Sequence, residues 1–517
     1  MLLGVEMKVS KTTLNLSVSL IYKLITCVVG ILIPRMFVIT YGSELNGLQS
    51  SVTQIFAYVA LIEAGIGEAA LQSLFGPIAR KDYHSANRIL AATTHYYNRI
   101  GFIYFIILLA VSLCYPLIVE VSGLSYLMVV GYIILSGATT GVNFFYQSKI
   151  ILLMQAEGSV YYNSMFAMIS YLLISAIKIT LICYGMNILF IQAGFFIVNL
   201  LVIYLYYRVA IKKYSWVNFK AEPDFNAISK SNYVLIHKIS GIAFNNTDII
   251  LLTIIANLEV VSIYAMYKLI INMITTIIAS FGDSINYKLG QVFNNNSLPE
   301  YCQIIDKFNS TYSIIAFSIF TITSIMLIPF LKLYTSGMDI NYIYYLMPLL
   351  YVTIEILQVG REAMLRTVTV AGHFKETIHQ SICEMVINII VSVTLMLILK
   401  SYWGPIACLY GALLGTVASL VYRTLALNSY ANKRILKRTS WQTNKIMLVN
   451  VILYALIYYM STLYNWDTIN TYAKWIVASI FVGLIVFTIV ILGHLLFNKT
   501  SVQDLYGIVK SKIAFLR

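Results

Sequence analysis

The stretch ILFIQAGFFIVNLLVIYLYY, residues 188–207, contains twenty residues and no charged side chain. About 20 consecutive apolar residues are needed for one α-helix to cross the hydrocarbon core of a bilayer. Similar stretches recur along the 517 residues of the chain, of which 59% are hydrophobic and only 11% are charged. A soluble domain carries about a quarter charged residues. The composition therefore excludes a soluble enzyme, a disordered chain and a secreted disulfide scaffold, and it predicts a polytopic membrane protein.

Counting these stretches predicts an all-α protein with about fourteen transmembrane helices. Membrane-spanning strands are excluded because they would be segments of about ten residues with alternating polarity. The predicted spans are 14–41, 47–75, 100–119, 124–147, 159–184, 187–210, 232–256, 259–287, 310–334, 342–368, 377–399, 405–428, 446–464 and 472–497. The loops between them are short, so the sequence predicts no soluble catalytic domain.

The net charge of +14 is explained mainly by topology. The predicted spans place 28 of the 35 Lys and Arg residues on one side and only Lys332, Lys400 and Lys474 on the other. Because basic loops stay in the cytoplasm, both termini are predicted to be cytoplasmic. A role in nucleic-acid binding is not favoured, since no loop offers a large basic soluble face.

The remaining four basic residues, Lys23, Arg35, Lys178 and Lys268, belong to neither side and lie inside spans 1, 5 and 8. A charge at this depth costs at least about 2.5–3.5 kcal/mol, so it normally faces a partner or a water-filled cavity. Snorkelling to the interface is the alternative for Arg35 and Lys178. Hydrogen bonding between packed helices is the alternative for isolated Asn residues. The predicted substrate-binding residues of a transport lumen are Lys23, Arg35, Lys178, Asn245, Asn246, Lys268 and Asn272.

Acidic residues accompany these bases within the spans. Glu68, Asp248 and Asp283 are the candidates for ion coupling or gating. On span 8, the spacing of Lys268, Asn272, Asp283 and Asn286 predicts one polar stripe along a single helix face.

Two other pairs of polar residues have the spacing of neighbours on one helix face. Glu362 and Arg366, and likewise Glu384 and Asn388, are four residues apart. We interpret both pairs as structural contacts within their helices, with gating as the alternative.

A weak internal repeat relates spans 1–2 to spans 7–8. LNGL at 45–48 and Gly67-Glu68 correspond to LEVV at 258–261 and Gly282-Asp283, an offset of six spans. A duplication of an even number of spans predicts two parallel lobes with the substrate site between them. The predicted organisation is an N-terminal lobe at 1–211, a cytoplasmic linker at 212–231, a C-terminal lobe at 232–430, and two further spans with a cytoplasmic tail at 431–517.

Several motifs resemble those of polysaccharide exporters in the multidrug/oligosaccharidyl-lipid/polysaccharide (MOP) flippase superfamily. They are LIEAGIGEAAL at 61–71, ARKDY at 79–83, ANR at 86–88, the Tyr41-Gly42 turn with LNGL at 45–48, and AGHFK at 371–375 followed by Glu384, Asn388 and Ser392. The resemblance implies two six-helix lobes around a central cationic cavity, plus two C-terminal helices. It also implies a Wzx-type flippase activity, in which undecaprenyl-pyrophosphate-linked oligosaccharide units cross the bacterial cytoplasmic membrane for capsule or O-antigen synthesis.

The expected partners are a lipid-linked oligosaccharide, membrane lipids, and a polysaccharide polymerase with its chain-length machinery. The six cysteines have no metal-binding spacing, so no metal or other cofactor is predicted, and any coupling is expected to use an H⁺ or Na⁺ gradient. The alternatives are a MATE-like drug or cation antiporter of the same superfamily, a membrane glycosyltransferase or polymerase, and a membrane scaffold without transport activity.

Overall fold

The structure, a computed structural model, describes residues 11–228, 232–283, 285–294 and 298–497. All regular elements in these ranges are helical. The helices are α1 Lys11–Tyr41, α2 Ser43–Val59, α3 Ala64–Arg80, α4 Tyr83–Ile118, α5 Tyr126–Tyr146, α6 Ser148–Ala156, α7 Val160–Cys183, α8 Ile188–Lys213, α9 Asn232–Ile255, α10 Leu258–Asp283, α11 Asn286–Asn294, α12 Leu298–Tyr334, α13 Leu346–Val370, α14 Phe374–Trp403, α15 Cys408–Tyr430, α16 Trp441–Thr462 and α17 Tyr472–Phe497. The predicted all-α polytopic fold is confirmed.

Eleven helices in the described ranges are long and apolar enough to cross a membrane. Three of the fourteen predicted spans have no counterpart among these eleven helices. Span 47–75 is divided between α2 and α3, span 232–256 has a described apolar part of only Ile239–Ile255, and α13 carries Glu355, Arg361, Glu362 and Arg366. These are segments in which polar groups or breaks interrupt the apolar stretch.

The break between α2 and α3 corrects the prediction of one continuous helix at 47–75. A single 3₁₀ turn, Ala60–Glu63, separates the two helices. The sequence that follows contains Gly65 and Gly67, and glycine weakens a helix interior by about 0.5–1 kcal/mol relative to alanine. Tyr97 of α4 donates a hydrogen bond of 3.0 Å to Glu63 in this turn. The polar carboxylate at the break is thus held by a neighbouring helix.

The chain divides into two compact units, Met1–Ile242 and Ala243–Arg517. In unit 1, α4 packs on α5, α1 on α7, and α8 on both α5 and α7. In unit 2, α15 packs on α13 and α14, while α12 packs on α13, α16 and α17. The four segments predicted from the sequence stay predictions.

Each unit contains one close helix contact built on a GxxxG pattern. In α15, a Cβ added at Gly415 would lie 2.6 Å from the backbone nitrogen of Ser392 on α14. In α5, a Cβ added at Gly141 would lie 2.6 Å from ring atoms of Phe105 on α4. Small residues allow such approach between membrane helices. The contact in unit 2 is between backbones, whereas the contact in unit 1 is with a side chain.

Candidate functional site

Asp248 of α9 lies at the centre of a polar network in unit 2. Its side chain is 3% exposed, and its Oδ2 atom accepts hydrogen bonds from Tyr264 of α10 at 2.7 Å and Thr416 of α15 at 3.1 Å. Asn388 of α14 donates to the same Thr416 hydroxyl at 2.9 Å. Four helices therefore supply one buried network around a carboxylate.

Two oxygens of this network accept no hydrogen bond from the described residues. They are Oδ1 of Asp248 and Oδ1 of Asn388, and both are buried. Most buried polar atoms have a partner, so such atoms need an explanation. Carboxylate, amide and hydroxyl oxygens are the ligands that hard cations prefer. The donor set fits a small cation or a proton on the carboxylate.

Lys268 lies beside this network on α10, one turn after Tyr264. Its amine donates a hydrogen bond to the backbone oxygen of Asn245, and it sits 5.8 Å from the Tyr264 ring centroid. Lys268 and Asp248 form no direct ion pair. The amine is thus positioned by the backbone of α9, one turn before Asp248.

Stacked tyrosines fix the position of Tyr264. The Tyr351 hydroxyl of α13 donates to the backbone oxygen of Tyr264 at 3.1 Å, and the rings of Tyr351 and Tyr267 stack with 6.1 Å between centroids. All three tyrosines are buried. The donor that Tyr264 presents to Asp248 therefore has little freedom to move.

A second charged cluster in unit 2 joins three helices. Glu384 of α14 forms ion pairs with Arg361 of α13 at 2.5 Å and with Arg423 of α15 at 3.5 Å. The three side chains are between 5% and 13% exposed. Arg423 also donates to Gln380 at 2.9 Å. Because every charged group here has a partner, we assign this cluster a structural role.

Unit 1 contains a different kind of site, a cavity of about 330 Å³ that includes Lys178 of α7. Its other polar lining residues are Gln49, Thr53, Tyr132, Ser136, Thr140 and Gln192. The Lys178 amine lies 4.9 Å from the centroid of the Phe195 ring on α8. Among the described residues, no carboxylate pairs with it. We call this space the Lys178 cavity.

The remaining predicted site residues are placed as follows. Lys23 and Arg35 are half-buried on α1, Asn246 is half-buried on α9, and Asn245 and Asn272 are exposed on α9 and α10. The side chains of Glu68 and Asp283 lie outside the described residues.

The predicted polar stripe on span 8 is interrupted. The helix α10 ends at Asp283, and Asn286 begins the separate helix α11, where it accepts a hydrogen bond from Arg366. The prediction that Asn286 shares one helix with Lys268 is therefore wrong. The Glu362–Arg366 pair is confirmed, with 2.7 Å between its atoms.

Sequence reasoning missed the residues that come from distant helices. Tyr264 and Thr416 at Asp248, and Gln192 at Lys178, have no local signal that distinguishes them from other residues of apolar helices. For Thr416 a hint exists, because it follows directly on the Gly411–Gly415 GxxxG pattern that marks a close helix contact.

Comparison with known proteins gives structural matches only. No family model matches the chain, and no curated protein sequence matches it. The lipid II flippase MurJ in an inward closed conformation has a TM-score of 0.58 and 13% identity, covering 91% of this chain and 97% of that one. An inward-facing multidrug resistance MATE transporter of the MOP superfamily has a TM-score of 0.58 and 16% identity, covering 83% and 99%.

A MOP superfamily transporter from Pyrococcus furiosus has a TM-score of 0.51 and 14% identity, covering 84% of this chain and 98% of that one. At such low identity the similarity concerns the fold and not the substrate. The chain is a multi-pass helical protein with the fold of the MOP superfamily transporters.

Proposed function

We propose that this protein is a transporter that flips lipid-linked oligosaccharides from the inner to the outer leaflet of the bacterial cytoplasmic membrane. The observation that carries the proposal is the similarity in fold to a lipid II flippase over 91% of this chain and 97% of that one. The MATE and Pyrococcus transporters cover 83% and 84% of this chain. The flippase therefore covers a larger share of this chain than either of the two transporters does. In this proposal the protein is a transporter and not an enzyme.

The Lys178 cavity supports an anionic substrate. Lys178 lies inside a candidate membrane helix and has no carboxylate partner among the described residues, so its amine is available to a ligand or to water. The same cavity is lined by the amide side chains of Gln49 and Gln192 and by the hydroxyl of Ser136. These groups suit a phosphate oxygen or sugar hydroxyls. We propose an undecaprenyl-pyrophosphate-linked repeat unit as the substrate, with Lys178 as one contact for its anionic head group.

The remaining predicted site residues stay part of this proposal. Lys23 and Arg35 on α1, and Lys268 with Asn245, Asn246 and Asn272 in unit 2, are proposed as further contacts for the substrate. Glu68 and Asp283 are proposed as gating or ion-coupling groups.

Asp248 is the proposed coupling residue. Its unpartnered Oδ1 atom and that of Asn388 are buried acceptors, which fit H⁺ or Na⁺. Binding of a cation there would favour the arrangement in which Tyr264 and Thr416 hold the carboxylate. A gradient of that ion could then bias the transport cycle.

The test is reconstitution of the full chain into vesicles that contain a fluorescent undecaprenyl-pyrophosphate oligosaccharide. Dithionite added outside quenches only the outer-leaflet label, so flipping increases the quenched fraction. We expect faster quenching than in protein-free vesicles. Equal rates in both would overturn the flippase proposal. Ethidium transport without lipid flipping would favour the MATE-like alternative, whose basis is the equal TM-score of the MATE transporter.

A further inference from the structure

A second concave pocket lies in unit 2, and it shares no lining residue with the Asp248 network. It has a volume of about 260 Å³ and lies between the end of α12, the start of α13 and the connection from α16 to α17. Four aromatic residues line it, Tyr345, Tyr458, Tyr464 and Trp466, together with the charged residues Lys332 and Asp467. We call these six residues the aromatic pocket.

Two of the rings are presented by a short, internally fixed loop. Tyr464 and Trp466 lie with 4.5 Å between ring centroids, and the indole nitrogen of Trp466 donates to the backbone oxygen of Ser461 at 2.9 Å. The Asn465 side chain accepts a hydrogen bond from the backbone nitrogen of Asp467 at 2.9 Å. Tyr464 is 59% exposed. The loop thus holds an open aromatic surface in a defined orientation.

The charged pair stands at the same pocket. Lys332 donates to Asp467, and its amine lies 5.6 Å from the centroid of the Tyr345 ring. The Asp467 side chain is 67% exposed. A pair as exposed as this contributes little to stability, about 0–1 kcal/mol. Its placement beside the exposed rings therefore suggests recognition more than support of the fold.

We propose that the aromatic pocket binds a single sugar ring. The apolar C–H face of a pyranose stacks on an aromatic ring, while its hydroxyls donate to a carboxylate and accept from an ammonium group. The volume lies just below the range of about 300–1,000 Å³ that accommodates drug-sized ligands, which suits one ring with the rest of a glycan outside. Stacking surface, donor and acceptor are all present in one concavity.

An interfacial aromatic belt is the competing explanation for these rings. Belt residues anchor a helix end at the headgroup level and act independently of one another. Trp403, which is 73% exposed at the end of α14, fits that description. The rings of the aromatic pocket instead converge on a charged pair around a shared volume. A sugar-binding site requires rings and charged groups around one volume, whereas anchoring at the membrane interface does not.

The choice of a sugar as ligand rests on the proposed function, and the site lies outside the residues proposed for transport. Lys332 is one of the three lysines that the sequence places on the outer side. The pocket would then meet the glycan after its translocation. A site there would hold the sugar of a flipped head group at the outer face.

Saturation-transfer NMR tests the pocket directly. The full chain is placed in phosphatidylethanolamine–phosphatidylglycerol nanodiscs, since maltoside detergents carry a sugar themselves. The probes are the methyl glycosides of glucose, galactose, mannose, N-acetylglucosamine and N-acetylgalactosamine. We expect transfer to at least one glycoside, reduced at least fivefold in Tyr464→Ala and in Asp467→Asn. Trp403→Ala, which removes an exposed aromatic ring elsewhere, should leave the transfer unchanged.

Two outcomes would overturn the inference. One is an absence of transfer to all five glycosides in correctly folded protein, which would leave the rings as lipid anchors. The other is transfer that Tyr464→Ala and Asp467→Asn do not alter. The readout does not involve transport, so failure of the vesicle assay with intact sugar binding would overturn only the proposed function. Flipping without sugar binding would overturn only this inference.

Discussion

Charged side chains inside the helices have different surroundings in the two units. In unit 2, Glu384 is enclosed between Arg361 and Arg423, and Asp248 accepts hydrogen bonds from Tyr264 and Thr416. In unit 1, Lys178 faces a cavity without a carboxylate partner among the described residues. The Glu384 cluster of unit 2 pairs its charges internally, whereas Lys178 of unit 1 leaves its amine available to a ligand.

This difference separates structural charges from charges available to a ligand. Removing one member of a buried ion pair leaves its partner uncompensated, so such residues affect the fold. Substitution of a lysine at a polar cavity leaves no buried counter-charge uncompensated. Its substitution should affect binding with little effect on stability.

The largest effect is expected from Glu384→Gln. It leaves Arg361 and Arg423 without a counter-charge, and loss of one partner from a buried ion pair costs about 3–5 kcal/mol. We expect a marked fall in the unfolding temperature in detergent, measured by differential scanning fluorimetry. Glu376→Gln, at an exposed position on the same helix, is the control. An unfolding temperature like that of the wild type would break the proposed contrast between the units.

Lys178→Met should weaken substrate binding without destabilising unit 1. A hydrogen bond to a charged group is worth about 1.5–3 kcal/mol, so the apparent affinity should fall about 10- to 150-fold. Half-saturating substrate concentration in the vesicle assay measures this change. Lys178→Arg should retain most of the affinity, and the exposed Lys212→Met should behave as wild type. A large loss of thermal stability with unchanged affinity would show that Lys178 has a structural role after all.

Asp248→Asn should slow ion-driven transport about tenfold, equivalent to about 1.4 kcal/mol of activation free energy. The amide retains an oxygen that accepts from Tyr264, but it carries no negative charge for a cation or proton. The measurement is flipping rate with and without an imposed Na⁺ or pH gradient. Glu300→Gln, at an exposed position on α12, is the matched control. Unchanged gradient dependence in Asp248→Asn would exclude coupling at this residue.

The smallest effect is expected at Glu157, a partly exposed carboxylate between α6 and α7 in unit 1. Burial alone would raise the pKa of Glu157, but hydrogen bonds from Tyr214 and Ser159 and the ammonium of Lys213 lower it below its usual value. Because the pKa is lower in the folded state, the stabilisation is present above the unfolded pKa and is lost as pH falls through the folded pKa. Solvent screening holds it to about 0.2–1 kcal/mol.

Thermal unfolding of Glu157→Gln from neutral pH to about pH 3.5 tests this sign, since the ordinary pKa of a glutamate is about 4.3. The unfolding temperature of Glu157→Gln should lie slightly below that of the wild type at neutral pH. This difference in unfolding temperature should become smaller in acid. Glu222→Gln, in an exposed loop of the same unit, should show no such narrowing. A difference that widens in acid would contradict the lowered pKa.

Of the two contacts predicted within a single helix, the structure confirms one. The Glu362–Arg366 pair follows from the i,i+4 geometry of α13 alone. Glu384 and Asn388 also have that spacing, but their partners come from other helices, namely Arg361 and Arg423 for Glu384 and Thr416 for Asn388. The rotation of each helix about its axis decides such contacts, and one sequence does not fix that rotation.

Composition and hydropathy by themselves determined that this is an all-helical membrane protein, because the need to bury apolar side chains in lipid is a local requirement on each segment. They also located most of the membrane-spanning helices, since these follow charge and polarity along the chain. Only the tertiary structure decided which charges meet, which lysine faces a cavity, and that rings from three separate segments converge on Lys332 and Asp467. Those outcomes depend on helix packing, where residues far apart in sequence are brought within a few ångströms.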